Sequence, residues 1–165
     1  MIPIISVVGW SDSGKTTYLE GLIPELVRRG LRICAVKHDV HGFEIDVPGK
    51  DSWRLKRAGA VVSVIGSPKQ VAVIADVDHD LTLSEIRDRF ISDVDLIISE
   101  GFKKDIHPKI EVFREGIRDG LLCMKSDNLI AVAADCEVET DVPVIDLADV
   151  GAMADLIERS VLGSK

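Results

Sequence analysis

Residues 9–16 read GWSDSGKT, and no other stretch of the 165-residue chain narrows its fold so far. The spacing is G-x-x-x-x-G-K-[ST], with Gly9, Gly14, Lys15 and Thr16 at the four defining positions. An uninterrupted aliphatic run, IPIISVVG (2–9), precedes it, as expected of a central parallel strand covered on both faces. KTTYLEGLIPELVRRG follows, with Leu19, Leu22, Ile23, Leu26 and Val27 at helical spacing and Gly30 placed to end the helix. Strand, glycine-rich turn and helix in that order make a phosphate cradle. The glycines let N–H groups turn inward around an anion, the helix N-terminus adds partial positive charge, and the lysine reaches the β- and γ-phosphates. Gly9, Ser11, Asp12, Ser13, Gly14, Lys15, Thr16 and Thr17 are therefore the candidate nucleotide-binding residues, with Lys15 also a catalytic charge. Thr16 would offer its hydroxyl to Mg²⁺, and Thr17 would contact the α-phosphate. Asp12 is the odd member, a negative charge placed beside phosphates.

The rest of the chain reads as alternating strands and helices. Pro24 inside the first helix has no N–H to offer the carbonyl of Glu20, so a kink is expected there. LRICAVK (31–37) is a second strand, which makes residues 2–37 a βαβ unit. A polar stretch, HDVHGFEIDVPGKD (38–51), leads into a short helix at 51–59. VVSVIG and QVAVIA, parted by SPK, read as a hairpin at one edge of the sheet. LTLSEIRDRF (81–90) is an amphipathic helix with Thr82 or Ser84 as its N-cap. VDLIISEGF (94–102), KIEVFR, GLLCMK, LIAVAAD and VPVIDL supply further strands, and 149–162 a closing helix. The length suits one domain with a real core, and we expect a single P-loop domain over 1–165. Its class is α/β: three layers, a mostly parallel sheet with an antiparallel edge hairpin, and helices on both faces.

Composition excludes some partners. Lys and Arg number 20 against 28 Asp and Glu, a net charge of -8, which opposes general adhesion to nucleic acid or anionic membrane. A bound phosphate must then be held by a local device. Cys34, Cys123 and Cys136 are widely spaced and odd in number, which argues for idle thiols in a reducing compartment rather than a disulfide framework or zinc knuckle. No apolar stretch approaches the ~20 residues of a membrane span, and MIPIISVVGW lacks the basic start of a signal peptide, so a cytoplasmic location is expected.

A phosphate cradle needs a carboxylate at the end of a neighbouring strand to hold Mg²⁺ directly or through water. Glu100 in LIISEG is the first choice, as metal-site and catalytic residue. Asp95 begins the same strand, ~17 Å away, and reads as a strand-entry residue. Asp46 and Asp51 lie in the polar loop where a segment responding to phosphate state would sit, and Asp46 is favoured over Asp51 as a metal contact. Lys37 and His38 close the second strand, where Lys37 is either a solvated strand end or charge for a second anion. His38 and His41 have H-x-x-H spacing without a third nearby ligand, and DVDHD (76–80) reads as a solvated acidic turn or, alternatively, a Ca²⁺ or transition-metal site. Lys103, Lys104, Lys109 and Arg114 form a basic stretch that is either a solvated face or an anion site. Asp135 ends a late strand, where it could accept from guanine N1–H and N2–H₂ or serve only as a strand end.

GWSDSGKTTYLEGLIPEL, VKHDVHGFEIDVPGKDSWRLKRAGA, DLIISEGFK, KIEVFR and LIAVAAD together resemble the MobB family, the GTP-binding adaptor proteins of molybdopterin-guanine dinucleotide biosynthesis. The likeness runs through nearly the whole chain, and the stretch from Lys37 to Asp51 and the Glu100–Lys103 run are its most specific marks. It implies a P-loop NTPase fold, bound GTP with Mg²⁺, slow hydrolysis and a homodimer. It also implies partnership with a MobA-like guanylyltransferase, with molybdopterin or its guanine dinucleotide as a further ligand. Position by position it supports Gly14, Lys15, Thr16, Thr17 and Glu100 as site residues and matches Lys37, His38, Asp46, Gly49, Lys50 and Asp51 without giving each a role. The guanine-reading N-K-x-D sequence of Ras-like GTPases is absent, so GTP over ATP rests on the resemblance. Competing readings are a small-molecule kinase, which needs a general base and usually an arginine-bearing lid, and a metallochaperone GTPase using His38, His41, Cys34 and the acidic 76–80 cluster.

Overall fold

The computed structural model describes residues 1–39 and 41–163. In chain order the elements are β1 (Ile4–Val8), α1 (Lys15–Arg28), β2 (Ile33–Lys37), α2 (Asp51–Arg57), β3 (Val62–Gly66) and β4 (Val71–Ala75). They continue with α3 (Leu83–Phe90), β5 (Leu96–Glu100), β6 (Lys109–Phe113), β7 (Leu129–Ala134), β8 (Val144–Asp146) and α4 (Val150–Ile157). Contacts divide the chain into two compact units, Met1–His38 with Thr82 onward, and Asp39–Leu81.

The larger unit is built on a six-stranded sheet of order β2-β5-β1-β6-β7-β8, parallel at every pairing. All five residues of β1 are buried, which is why its sequence is aliphatic without alternation. Ile5 and Val7 point to one face, where they meet Leu22 and Leu26 of α1 and Met153 and Ile157 of α4. Ile4 and Val8 point to the other, Ile4 against Leu83 of α3 and Ile97, Val8 against Cys123 and Leu129. Sheet and two covering layers thus form the expected three-layer α/β arrangement. Each fully buried leucine of α1 contributes roughly 1.5–3 kcal/mol by leaving water.

Local chemistry explains the helix ends. Thr82, rather than Ser84, caps α3, in a reciprocal box with Glu85. The Asp149 carboxylate accepts from the Ala152 N–H at the start of α4. α1 continues through Pro24 to Arg28. Beyond it, Arg29 donates to Glu25, Asp155 and Glu158, tying the end of α1 to α4.

β5 lies between β1 and β2 and pairs with both. Two expectations are corrected. The hairpin is not an edge of the main sheet; β3 and β4 form a separate two-stranded sheet in the smaller unit. GLLCMK forms no strand: the Leu122 and Cys123 N–H groups donate to the Glu111 carboxylate at 2.6 and 2.9 Å. In the smaller unit the SPK turn is closed by the Ser67 N–H donating to the Gln70 carbonyl at 2.8 Å.

Candidate functional site

The sheet changes direction of growth at β1, with β5 and β2 on one side and β6, β7 and β8 on the other. Ligands of open parallel sheets bind outside the carboxyl ends of the strands at such a point. Gly9 leaves β1 there with φ +147°, and a Cβ on it would lie 2.5 Å from the Val112 carbonyl oxygen and 2.7 Å from Ser13 Oγ. Only glycine fits that approach. Asp12 has φ +65°, in the left-handed region that Asp tolerates better than most residues. Its place in the loop is thus a backbone matter, and its side chain is exposed. Ser13 is buried, its N–H donating to the Trp10 carbonyl at 3.2 Å and its hydroxyl without a protein partner.

Gly14 stands at the N-cap of α1 with φ 86°, and no side chain caps this helix or places a carboxylate in its first turn. α3 and α4 both carry such caps. The first turn of α1 therefore presents backbone N–H donors and partial positive charge to an anion. Lys15 Nζ donates to the Gly9 and Trp10 carbonyls at 3.2 and 2.8 Å, which places the ammonium across the loop opening. Thr16 Oγ1 donates to Glu100 Oε2 at 2.8 Å. Thr17 is exposed on the same turn.

Glu100 reaches Thr16 because of strand register. It lies beside Val7 of β1 and Lys37 of β2, and two residues after Ile98, which faces α1. Lys37 Nζ is 3.5 Å from Glu100 Oε1, so the carboxylate is flanked by a hydroxyl and an ammonium. Thr16 and Glu100 form a hard oxygen donor set of the kind Mg²⁺ takes, and these residues fit that ion. His38 follows Lys37; its N–H donates to the Glu100 carbonyl at 3.1 Å and its ring stacks on Phe102 at 4.4 Å.

Arg114 and Asp135 meet beside the loop, a link the sequence did not reveal. Arg114 Nε donates to the Ser13 carbonyl at 3.1 Å and would meet a Cβ on Gly14 at 3.0 Å. Asp135 accepts from the Glu115 N–H at 3.0 Å and lies 3.5 Å from Arg114 Nη1, so the late strand end is joined through Arg114 to the phosphate loop. Glu111 is completely buried, and burial raises its carboxyl pKa against the lowering effect of its two backbone hydrogen bonds. Lys109 is not part of a solvated basic face. It is buried and donates to the Asp105, His107 and Asp127 carbonyls.

Asp46 and Asp51 belong to the smaller unit. Asp46 accepts from the Val47 N–H at 2.8 Å and the Ser52 hydroxyl at 3.0 Å, while Asp51 opens α2 with Arg54 3.8 Å away. In the acidic segment Asp76 pairs with Lys56 and Asp78 with His79. Among the described residues no group of three or more His, Cys, Asp or Glu side chains is arranged to hold a metal ion. No helix among them is long and apolar enough to cross a membrane.

The family model for MobB, "Molybdopterin guanine dinucleotide synthesis protein B", matches residues 4–135. The chain belongs to the MobB family. The match runs from β1 to Asp135 and so takes in the phosphate loop, Glu100 and the Arg114–Asp135 link. Among MobB relatives, the molybdopterin-guanine dinucleotide biosynthesis adapter protein of Escherichia coli K12 is 38% identical over 161 residues, covering 95% of this chain and 92% of that protein. The Haemophilus influenzae adapter protein is 35% identical, covering 96% of this chain and 89% of its own length. A crystal structure of molybdopterin-guanine biosynthesis protein B superposes with a TM-score of 0.73 at 32% identity, covering 94% of this chain and 97% of that one.

Proposed function

We propose that this MobB-family chain is a GTP-binding adapter of molybdenum cofactor biosynthesis, assisting conversion of molybdopterin to its guanine dinucleotide form, with weak Mg²⁺-dependent GTP hydrolysis. The observation that carries the reading is the uncapped start of α1 with Lys15, Thr16 and Glu100 gathered around it. Loop N–H groups and Lys15 hold the triphosphate, Lys15 leaving the Gly9 and Trp10 carbonyls as the anion enters. Thr16 and Glu100 would hold Mg²⁺. The ion, when bound, offsets charge on the β- and γ-phosphate oxygens.

Slow turnover follows from the available cations. Arg114 is turned onto the Ser13 carbonyl and Asp135, and intrinsic GTPases without an arginine on the γ-phosphate are slower by ~10³ to 10⁵. Guanine selectivity rests on the resemblance to adapter proteins, with Asp135 as the candidate acceptor for guanine N1–H and N2–H₂. The partner is a MobA-like guanylyltransferase, with molybdopterin or its guanine dinucleotide as shared ligand, in the cytoplasm.

A homodimer is supported by the smaller unit. Val62, Val64, Val71 and Val73 are directly opposed across the hairpin or lie on the same face by register, and all four are exposed. Such an apolar face calls for a cover, and a second copy of this chain is our choice.

Titrating GTP and ATP with Mg²⁺ into the chain and its Lys15→Ala variant tests the reading. Preferential GTP binding, lost in the variant by on the order of 10- to 100-fold, is expected. Unchanged affinity in the variant removes the assigned site, and stoichiometric phosphoryl transfer to an acceptor makes the chain a kinase instead.

A further inference from the structure

We infer that the cavity between the phosphate loop and residues 116–122 is a second ligand site, which takes a phosphate-bearing small molecule beside the bound nucleotide. The inference rests on the nucleotide reading above. The cavity measures about 540 Å³ and is lined by Gly9 to Asp12, Lys103, Gly116 to Arg118 and Leu122. That volume lies within the range of ~300–1,000 Å³ typical of small-molecule sites.

The cavity lies on the face away from the metal-site residues. Thr16 and Glu100 line a separate pocket with Leu19 and Ile98, on the α1 side of the sheet. Leu122 instead packs with Val8 in the core cluster of the opposite face. The two pockets share no lining residue, and the phosphate loop contributes to both.

The outer wall is a built structure rather than a loose loop. The buried Glu111 carboxylate receives the Leu122 and Cys123 N–H groups and fixes its base. At the rim, Trp10 of the phosphate loop donates its indole N–H to the Gly120 carbonyl at 3.3 Å, and the Arg118 guanidinium lies 5.4 Å from the Trp10 ring centre. Two cations, Lys103 and Arg118, face the cavity against one carboxylate, Asp12, in a chain whose net charge is -8. A local excess of positive charge on an acidic protein selects anions, and a guanidinium with an ammonium is a recurrent phosphate pair. Trp10 is next to Gly9, so a ligand in the cavity touches the loop that holds the nucleotide.

Trp10 also reports on the cavity. In a Trp53→Phe background it is the only tryptophan. That protein is first saturated with Mg²⁺ and a non-hydrolysable GTP analogue, then titrated with inorganic pyrophosphate while Trp10 fluorescence is followed. A second, saturable change is expected, weakened about 10-fold or more in Lys103→Gln/Arg118→Gln, with analogue affinity moved by less than about 2-fold. Arg118→Lys, which keeps the charge but loses the planar fork, should fall between the two. No second change, or one unaffected by the double variant, overturns the inference. Equal weakening of the analogue and pyrophosphate also overturns it, because the cavity would then serve the nucleotide's own γ-phosphate. Failure of the nucleotide reading shows earlier and separately, as absence of analogue binding in the first titration.

Discussion

The Thr16 hydroxyl donates to the Glu100 carboxylate across 2.8 Å, joining the first turn of α1 to the end of β5. The two residues are 84 positions apart in sequence, and it is the β1–β5 pairing of Val7 with Glu100 that brings them together. Lys37, opposite Glu100 on the other neighbouring strand, offsets part of its charge. The carboxylate thus sits between a hydroxyl and an ammonium at the end of the strand.

Glu100→Gln should leave nucleotide affinity in EDTA nearly unchanged and weaken the Mg²⁺-dependent gain by about 10- to 100-fold, the usual effect of disturbing a metal site. Titration of a GTP analogue with and without Mg²⁺ measures the difference. An identical Mg²⁺ dependence in variant and parent would remove Glu100 from the metal site.

Asp135 offers a sharper choice between two roles. Its carboxylate now accepts from the Glu115 N–H and pairs with Arg114, and it retains lone pairs for a ligand. If it accepts from guanine, Asp135→Asn should cost GTP roughly 10- to 100-fold and favour xanthosine triphosphate, whose O2 can receive the new amide N–H. If it only holds Arg114 against the phosphate loop, GTP and ATP should weaken alike. Competition binding with the three nucleotides decides.

The loop between β1 and α1 was legible because it is local: eight consecutive residues carry the glycines, lysine and hydroxyl that shape it. The place of Glu100 beside that loop was legible because it ends a strand just before a glycine. Glu111 and Lys109 were not. In KIEVF both charges fall on one face of β6, a pattern that ordinarily marks solvent. Only the return of residues 120–123 and the carbonyls of Asp105, His107 and Asp127 makes that face an interior. The same return explains why GLLCMK, apolar enough for a strand, gives its N–H groups to a carboxylate instead of a ladder. The hairpin strands were readable from their turn, but whether they joined the main sheet depended on pairings that periodicity does not encode.

Acid should loosen the junction of α1 with α4. Hydrogen bonds from Arg28 and then Arg29 lower the Glu25 pKa from 4.5 to about 2. A depressed carboxyl pKa contributes stability that is fully present above the unfolded value and is lost as pH falls through the folded one. The contribution should therefore persist above about pH 4.5 and fade toward pH 2. Thermal melts of the parent and Glu25→Gln should differ at neutral pH and converge across that window. A constant difference would show that Glu25 acts by packing rather than charge.

The hairpin of the smaller unit provides the test of assembly. Val64 and Val73 are directly opposed on a face whose valines are exposed, so charge placed there should block a second copy from covering it. Two like charges facing each other would also weaken the hairpin and confuse the result. Val64→Lys with Val73→Glu avoids this by giving an opposite-charge cross-strand pair. Each valine that leaves water contributes roughly 1.5–3 kcal/mol, so the pair should weaken dimerisation by on the order of 100-fold or more. Sedimentation equilibrium measures the change, and an unaltered circular dichroism spectrum verifies the fold. A variant that still dimerises with the parent's affinity would place the subunit contact elsewhere and leave this face to another protein.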